Sequence, residues 1–328
     1  MSRSLWLRAA VIPLVVLGMP ACTNDAERTS RPPEPTSTIT TTTSAAPSGT
    51  TPFSKPQQLF APYEPPTEEP YANGKRLAGR VAQELTTFSP MASARELAGG
   101  VQAVGVELVV KPLVNPARRS AGEVIYVQLS GVTATTLGVM VVVRQHLEDA
   151  DGNLDLVVRV MDVRLRRTGG GPWSLDRVAS VGGTAVPRPA KVSRAAARVL
   201  DHPNIQLPDT GRWDIYRGGI DEGLLRSLAD VADHWPLTIS VLRTGHPPNV
   251  WATNRPSAHT AGKAADIYAV GGVPVLLQRT NGSSARRLAE TFLAAGARQV
   301  GSPWILSPAG RRSFADRVHW DHIHVQQT

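Results

Sequence analysis

The chain has 328 residues, 41% of them hydrophobic, which leaves room for about two domains plus tails. Its formal net charge of +8 includes Arg3 and Arg8 at the amino terminus, and aromatics make up only 5% of the chain. No Lys/Arg block interleaves with aromatics, so the balance excludes a nucleic-acid groove and points to an anionic matrix such as a cell wall or membrane face. The only cysteine is Cys22, which excludes a disulfide within the chain.

Residues 1–21 carry a charged start, an apolar run from Ala9 to Leu17 and small residues before Cys22. The apolar run is too short to span a bilayer durably, so the stretch reads as a signal peptide. The placement of Cys22 resembles the lipobox of bacterial lipoproteins: Ala21 fits, while Met19 and Pro20 depart from the usual pattern. The resemblance implies lipidation of Cys22, export, and anchoring to the outer face of the cell membrane. A plain signal peptide followed by an incidental cysteine is the alternative. Residues 22–67 then hold Thr, Ser and Pro, including TSTITTTTSAAPSGTTP, which cannot bury enough apolar surface to fold and reads as a tether.

Residues 68–189 form a first folded region. GKRLAGRVAQELTTF and MASARELAGG have helical spacing of apolar residues. VGVELVV, EVIYVQLSGV, TTLGVMVVVRQHLE, LDLVVRVMDVRLRR and WSLDRVASVGG follow as predicted strands, separated by Gly, Asn and Asp turns. Helices followed by an antiparallel meander predict a small α+β layer, loosely similar to cone-shaped NTF2-like domains in the order of its elements. His146 stands alone there, on a predicted surface, and nothing in the region converges on a chemistry.

Residues 190–328 form a second region, entered through a Pro-rich boundary and a lead-in helix. In DEGLLRSLADVADHW, Leu224, Leu225, Leu228 and Val231 make one apolar face of a helix. PLTISVLRTG reads as a buried strand, SSARRLAETFLAAGA as a second helix and HIHVQ as the last strand. Three of the chain's 8 histidines, His319, His322 and His324, crowd into VHWDHIHVQ. His322 and His324 stand at i and i+2, so a strand points both to one face. Two ligands from one strand do not complete a catalytic metal site, which needs three protein ligands and an open position. Upstream, SAHTAGKAADIY offers His259 and Asp266, with Gly262 between them to turn the chain back on itself.

SAHTAGKAAD fits S-x-H-x-x-G-x-A-x-D, with Ala264 in register, and DHIHV follows near the end of the chain. Together they resemble the zinc D-Ala-D-Ala carboxypeptidase and phage endolysin family, whose fold is shared with the Hedgehog signalling domain. The resemblance covers roughly residues 190 to 328 and implies an α+β zinc domain built on a central antiparallel sheet. It implies Zn2+ on His259, Asp266 and His324, and Asp321 as general base. It gives His322 a supporting or transition-state role, Arg243 in VLRTGH the substrate carboxylate or oxyanion, and Ser257 a hydrogen bond that orients the ligand loop. Asp in place of the usual Glu puts position 321 in the less common branch. Strict alternation would also turn Asp321 away from His322 and His324, so it serves only if the chain bends before a strand that begins at His322. Otherwise His322 or His319 inherits the proton, or the site is inert. Asp316, three before His319, is followed by no second-motif features. Trp251, Tyr268, Trp304 and Trp320 are either cleft walls or core, and TGHPPN, with His246, reads as a loop near the cleft.

The expected activity is hydrolysis of peptidoglycan stem peptides, by a D,D-carboxypeptidase or endopeptidase held at the membrane by its lipid. Two rival readings stay open: a non-catalytic metal-binding module for the wall or a partner, and a chain whose first region carries the function.

Overall fold

The computed structural model describes residues 60–101, 105–306 and 311–328, all within one compact unit, Thr51–Thr328. The expected signal peptide, Cys22 and most of the expected tether lie outside the described residues. The molecule is α+β, as its segment order predicts, and its described residues form two sheets.

The first region opens with three helices, α1 (Ala72–Leu85), α2 (Ala94–Val101) and α3 (Val106–Val110). Ala78, Val81, Ala82 and Leu85 lie at i, i+3, i+4 and i+7 of α1 and are buried. Within the VGVELVV stretch predicted as a strand, Val106–Val110 is α3. Val106 and Val110, four apart, bury one helical face and leave Leu108 71% exposed, so the period is helical despite the β-branched composition. Four strands follow: β1 (Arg119–Val132), β2 (Thr136–Glu148), β3 (Leu154–Arg166) and β4 (Ser174–Ser180), antiparallel in the order β1-β2-β3-β4.

Both faces of this sheet are covered, which explains the near-continuous apolar run of β2. Val127, Leu129, Val139 and Val141 pack with the helices, whereas Tyr126, Met140, Val142 and Val160 turn the other way and meet Val241 of the second region. The Tyr126 ring stacks on Tyr268 at 4.3 Å between centroids. Each such side chain taken fully out of water contributes roughly 1.5–3 kcal/mol, so the two regions share apolar burial.

The second region contains α4 (Arg194–Leu200), β5 (Ile205–Gln206), α5 (Asp209–Tyr216), α6 (Glu222–Ala232), β6 (Leu237–Val241), β7 (Ala264–Val270) and β8 (Val273–Pro274). It ends with α7 (Ser284–Ala294), β9 (Gln299–Gly301), β10 (Ser313–Phe314) and β11 (Ile323–Gln326). Its sheet runs β10-β9-β11-β7-β6-β5, with β8 on β7. The four central strands are antiparallel, as expected, and the edge pairs β10-β9 and β5-β6 are parallel. Helix α6 starts where Asp221 accepts from Gly223 and Leu224 N–H, and Leu224, Leu225 and Leu228 of its apolar face are at most 2% exposed.

Candidate metal centre

The register of β11 against β7 sets His324 directly opposite Asp266. Ahead of β7, the chain turns tightly through residues 258–262, closed by Gly262 N–H to His259 O at 2.9 Å and Lys263 N–H to Ala258 O at 3.0 Å. Gly262 has φ of +67°, and a Cβ there would sit 2.1 Å from Gly219 O, so only glycine fits the turn. Ser257 Oγ accepts the His259 backbone N–H at 3.3 Å, the contact expected of it. Nδ1 of His259 donates to Leu242 O at 2.7 Å, which leaves Nε2 bare and aimed at His324 and Asp266.

These three side chains come together in a triangle. His259 Nε2 is 3.2 Å from Asp266 Oδ1 and 3.2 Å from His324 Nδ1, and His324 Nδ1 is 2.9 Å from Asp266 Oδ1. Ligand atoms about 2.0–2.1 Å from a tetrahedral ion stand about 3.3 Å apart, so the donor set fits such an ion in number, chemistry and spacing. His246 stacks on His259 at 3.9 Å between ring centroids, and His246, His259 and Asp266 bring ligand atoms within 4.8 Å of one another. This cluster can hold a metal ion.

The charges suit one. Burial alone would raise Asp266, but His259, His322 and His324 hold its carboxyl well below the usual carboxylate range. Burial pushes His324 down to about 4, and burial and neighbouring His259 push His246 well below the ordinary imidazole value. Both imidazoles are therefore neutral at neutral pH, the form in which they ligate.

Asp321 and His322 divide their expected roles differently. A 3₁₀ turn over Val318–Trp320 bends the chain before β11, which begins at Ile323. Asp321 is fully buried behind His322 and is absent from the lining of the cleft. Its Oδ1 contacts His322 Nδ1 at 2.6 Å, while its Oδ2 accepts from Lys75 Nζ at 2.5 Å and from Leu129 N–H at 3.0 Å. The Tyr126 hydroxyl donates to the Asp321 carbonyl at 2.6 Å. Burial opposes ionisation of Asp321, but Lys75 and His322 win and lower its pKa. His322 turns Nε2 into the cleft, 3.8 Å from Asp266 Oδ2. Burial would lower its pKa, and Asp266 and Asp321 raise it instead.

The cleft beside the triangle encloses about 450 Å³, with Ser130, Trp251, Arg255, His319 and His322 among its walls. His319 forms a second such pair, Nδ1 to Asp316 Oδ1 at 2.7 Å, and this partner holds Asp316 down at about 2 against the opposing effect of burial. Sequence reasoning set Asp316 aside because it sought only a second ligand motif. Arg243 is exposed, its guanidinium lies over Gly219, and it is not part of the cleft lining. The arginine on the cleft wall is Arg255. Of the four aromatics in question, Trp251 lines the cleft, Tyr268 stacks on Tyr126, Trp304 packs against the second core and Trp320 is 40% exposed. His146 is half-buried, 3.0 Å from Glu123.

Two buried residues of the first region, Gln128 and Lys75, escaped sequence reasoning. Gln128 Nε2 donates to Asp266 Oδ2 at 2.8 Å, and Lys75 bonds both Asp321 and Glu69. The available signals were a lysine on the apolar stripe of α1 and a glutamine inside a β-branched run. No family model, no curated protein and no solved structure matches this chain.

Proposed function

We propose that the chain is an exported zinc-dependent peptidase that hydrolyses amide bonds of peptidoglycan stem peptides, as a D,D-carboxypeptidase or endopeptidase. The observation that carries this reading is the His259–Asp266–His324 triangle, with edges of 2.9–3.2 Å beside an open cleft. The likeness of SAHTAGKAAD and DHIHV to the zinc carboxypeptidases supplies the substrate class, and the Cys22 context supplies export and the lipid anchor.

Zinc on these residues would polarise the scissile carbonyl and bring the pKa of water from 15.7 to roughly 7. The protein's own groups do the rest. His322 takes the proton of the attacking water at Nε2 and returns it to the leaving amine, with Asp321 fixing the ring through Nδ1. His319, held by Asp316 through Nδ1, adds a second imidazole to the cleft wall. Arg255 offers a planar cation to a peptide carboxylate, and Trp251 a flat apolar wall. The general base thus moves from Asp321 to His322.

The test is digestion of defined muropeptides by soluble, zinc-loaded protein starting at Pro52, read by mass spectrometry. Loss of a terminal alanine or of a cross-link should vanish with chelator, with His259→Ala and with His322→Ala. Intact muropeptides at one bound zinc per chain would instead favour a binding module, a reading supported by the engagement of Asp321 with Lys75.

A further inference from the structure

The first region has no chemistry of its own in the proposed function, yet it reaches the metal site. Gln128, on β1 and fully buried, faces away from the helices of its own region. Its amide is clamped at both ends: Nε2 donates to Asp266 Oδ2 at 2.8 Å, and Oε1 accepts from Ser240 Oγ at 2.6 Å. Reversing the amide would set two acceptor oxygens together, so the carboxylate dictates this orientation. The oxygen that Gln128 holds is Oδ2, and the one left to the ligand triangle is Oδ1. Lys75 and Leu129 N–H treat the second buried carboxylate, Asp321, in the same way. Both carboxylates behind the site are therefore fixed from the first region.

We propose that the first region is a working part of the metal site, with Gln128 as the positioning residue that aims Asp266 at the ion. This rests on the proposed metal site but not on its peptidase activity. A ligating carboxylate with one free rotation must be frozen on binding, and its hydrogen-bond partner freezes it beforehand. Loss of such a partner commonly weakens metal affinity about 10–100-fold.

The experiment is titration of Zn2+ into the exported chain against a chromogenic chelator, for the unaltered protein, Gln128→Met and Met140→Ala. Gln128→Met keeps length and removes the donor; Met140→Ala loosens the same packing between sheets without touching Asp266. The expected result is a loss of about 10-fold or more in Zn2+ affinity for Gln128→Met, with Met140→Ala close to the unaltered protein. Equal affinity for Gln128→Met would overturn the inference while leaving the zinc site and the peptidase reading intact. Equal losses in both variants would also overturn it, since Gln128 would then act only through packing. An unaltered protein that binds no Zn2+ would remove the metal site and the inference together. Zinc binding without muropeptide cleavage would defeat the peptidase reading alone. Should Gln128→Met fail to fold, Ser240→Ala serves instead: it frees one end of the Gln128 amide and also removes the Ser240 Oγ bond to the Asp266 carbonyl at 3.1 Å, and unchanged affinity there overturns the proposal.

Discussion

Removing the buried ammonium with Lys75→Met tests how firmly the two regions are joined. Lys75 is 0% exposed and pairs with Glu69 and Asp321, so its loss leaves two carboxylates in the interior with no cation between them. Breaking a buried pair by deleting one partner costs about 3–5 kcal/mol. Glu69 softens that loss, because burial already raises its pKa to about 7 although Lys75 pulls the other way, one ammonium being shared between two acids. The loss should therefore be near the top of that range at pH 8, where Glu69 is charged, and smaller at pH 5.5, where it is protonated. Urea unfolding followed by far-ultraviolet circular dichroism at the two pH values gives both numbers. Glu69→Gln added to Lys75→Met should recover part of the loss at pH 8. A loss below about 1 kcal/mol at pH 8, or one that grows toward acid, would refute the pairing.

Glu69 also predicts a pH dependence in the unaltered chain. Its folded pKa lies above the unfolded one, so its contribution is whole below about 4.5 and is lost as pH rises through about 7, by up to about 3 kcal/mol. Glu69→Gln should flatten that limb in a series of melting curves. Gly262→Ala forces a Cβ against Gly219 O at positive φ, and should cost about 1–3 kcal/mol and weaken Zn2+ binding in the chelator titration. Arg255→Ala should raise KM for carboxylate-bearing peptides about 10-fold or more, whereas Arg243→Ala should change it less than twofold; the reverse ranking in steady-state assays would return Arg243 to the site.

The convergence of His259, Asp266 and His324 is legible in the sequence because its geometry is local. A glycine turn joins His259 to Asp266, and the last strand sets His324 opposite Asp266. Asp321 was harder: its bend is local, but its burial and its ammonium partner come from α1, 246 residues away. No pattern within the terminal motif encodes that lysine. Arg243 lies two residues beyond the end of β6 and keeps its motif position while its side chain leaves the cleft. The helix over Val106–Val110 was misread because valine runs favour strands on composition, and only its burial at i and i+4 separates the two.

The bonds that hold the candidate metal site have long reach along the chain: Gln128 meets Asp266 across 138 residues, Leu129 meets Asp321 across 192, and Lys75 meets Asp321 across 246. Closing such loops costs chain entropy before any contact rewards it, so these are late events in folding. The triangle itself needs β11, which sets His324 opposite Asp266 of β7. A chain whose first sheet has formed but whose β11 has not docked on β7 therefore lacks the meeting of His324 and Asp266. The candidate site is thus a report on completed folding, since its residues are held together only when both sheets have closed on each other.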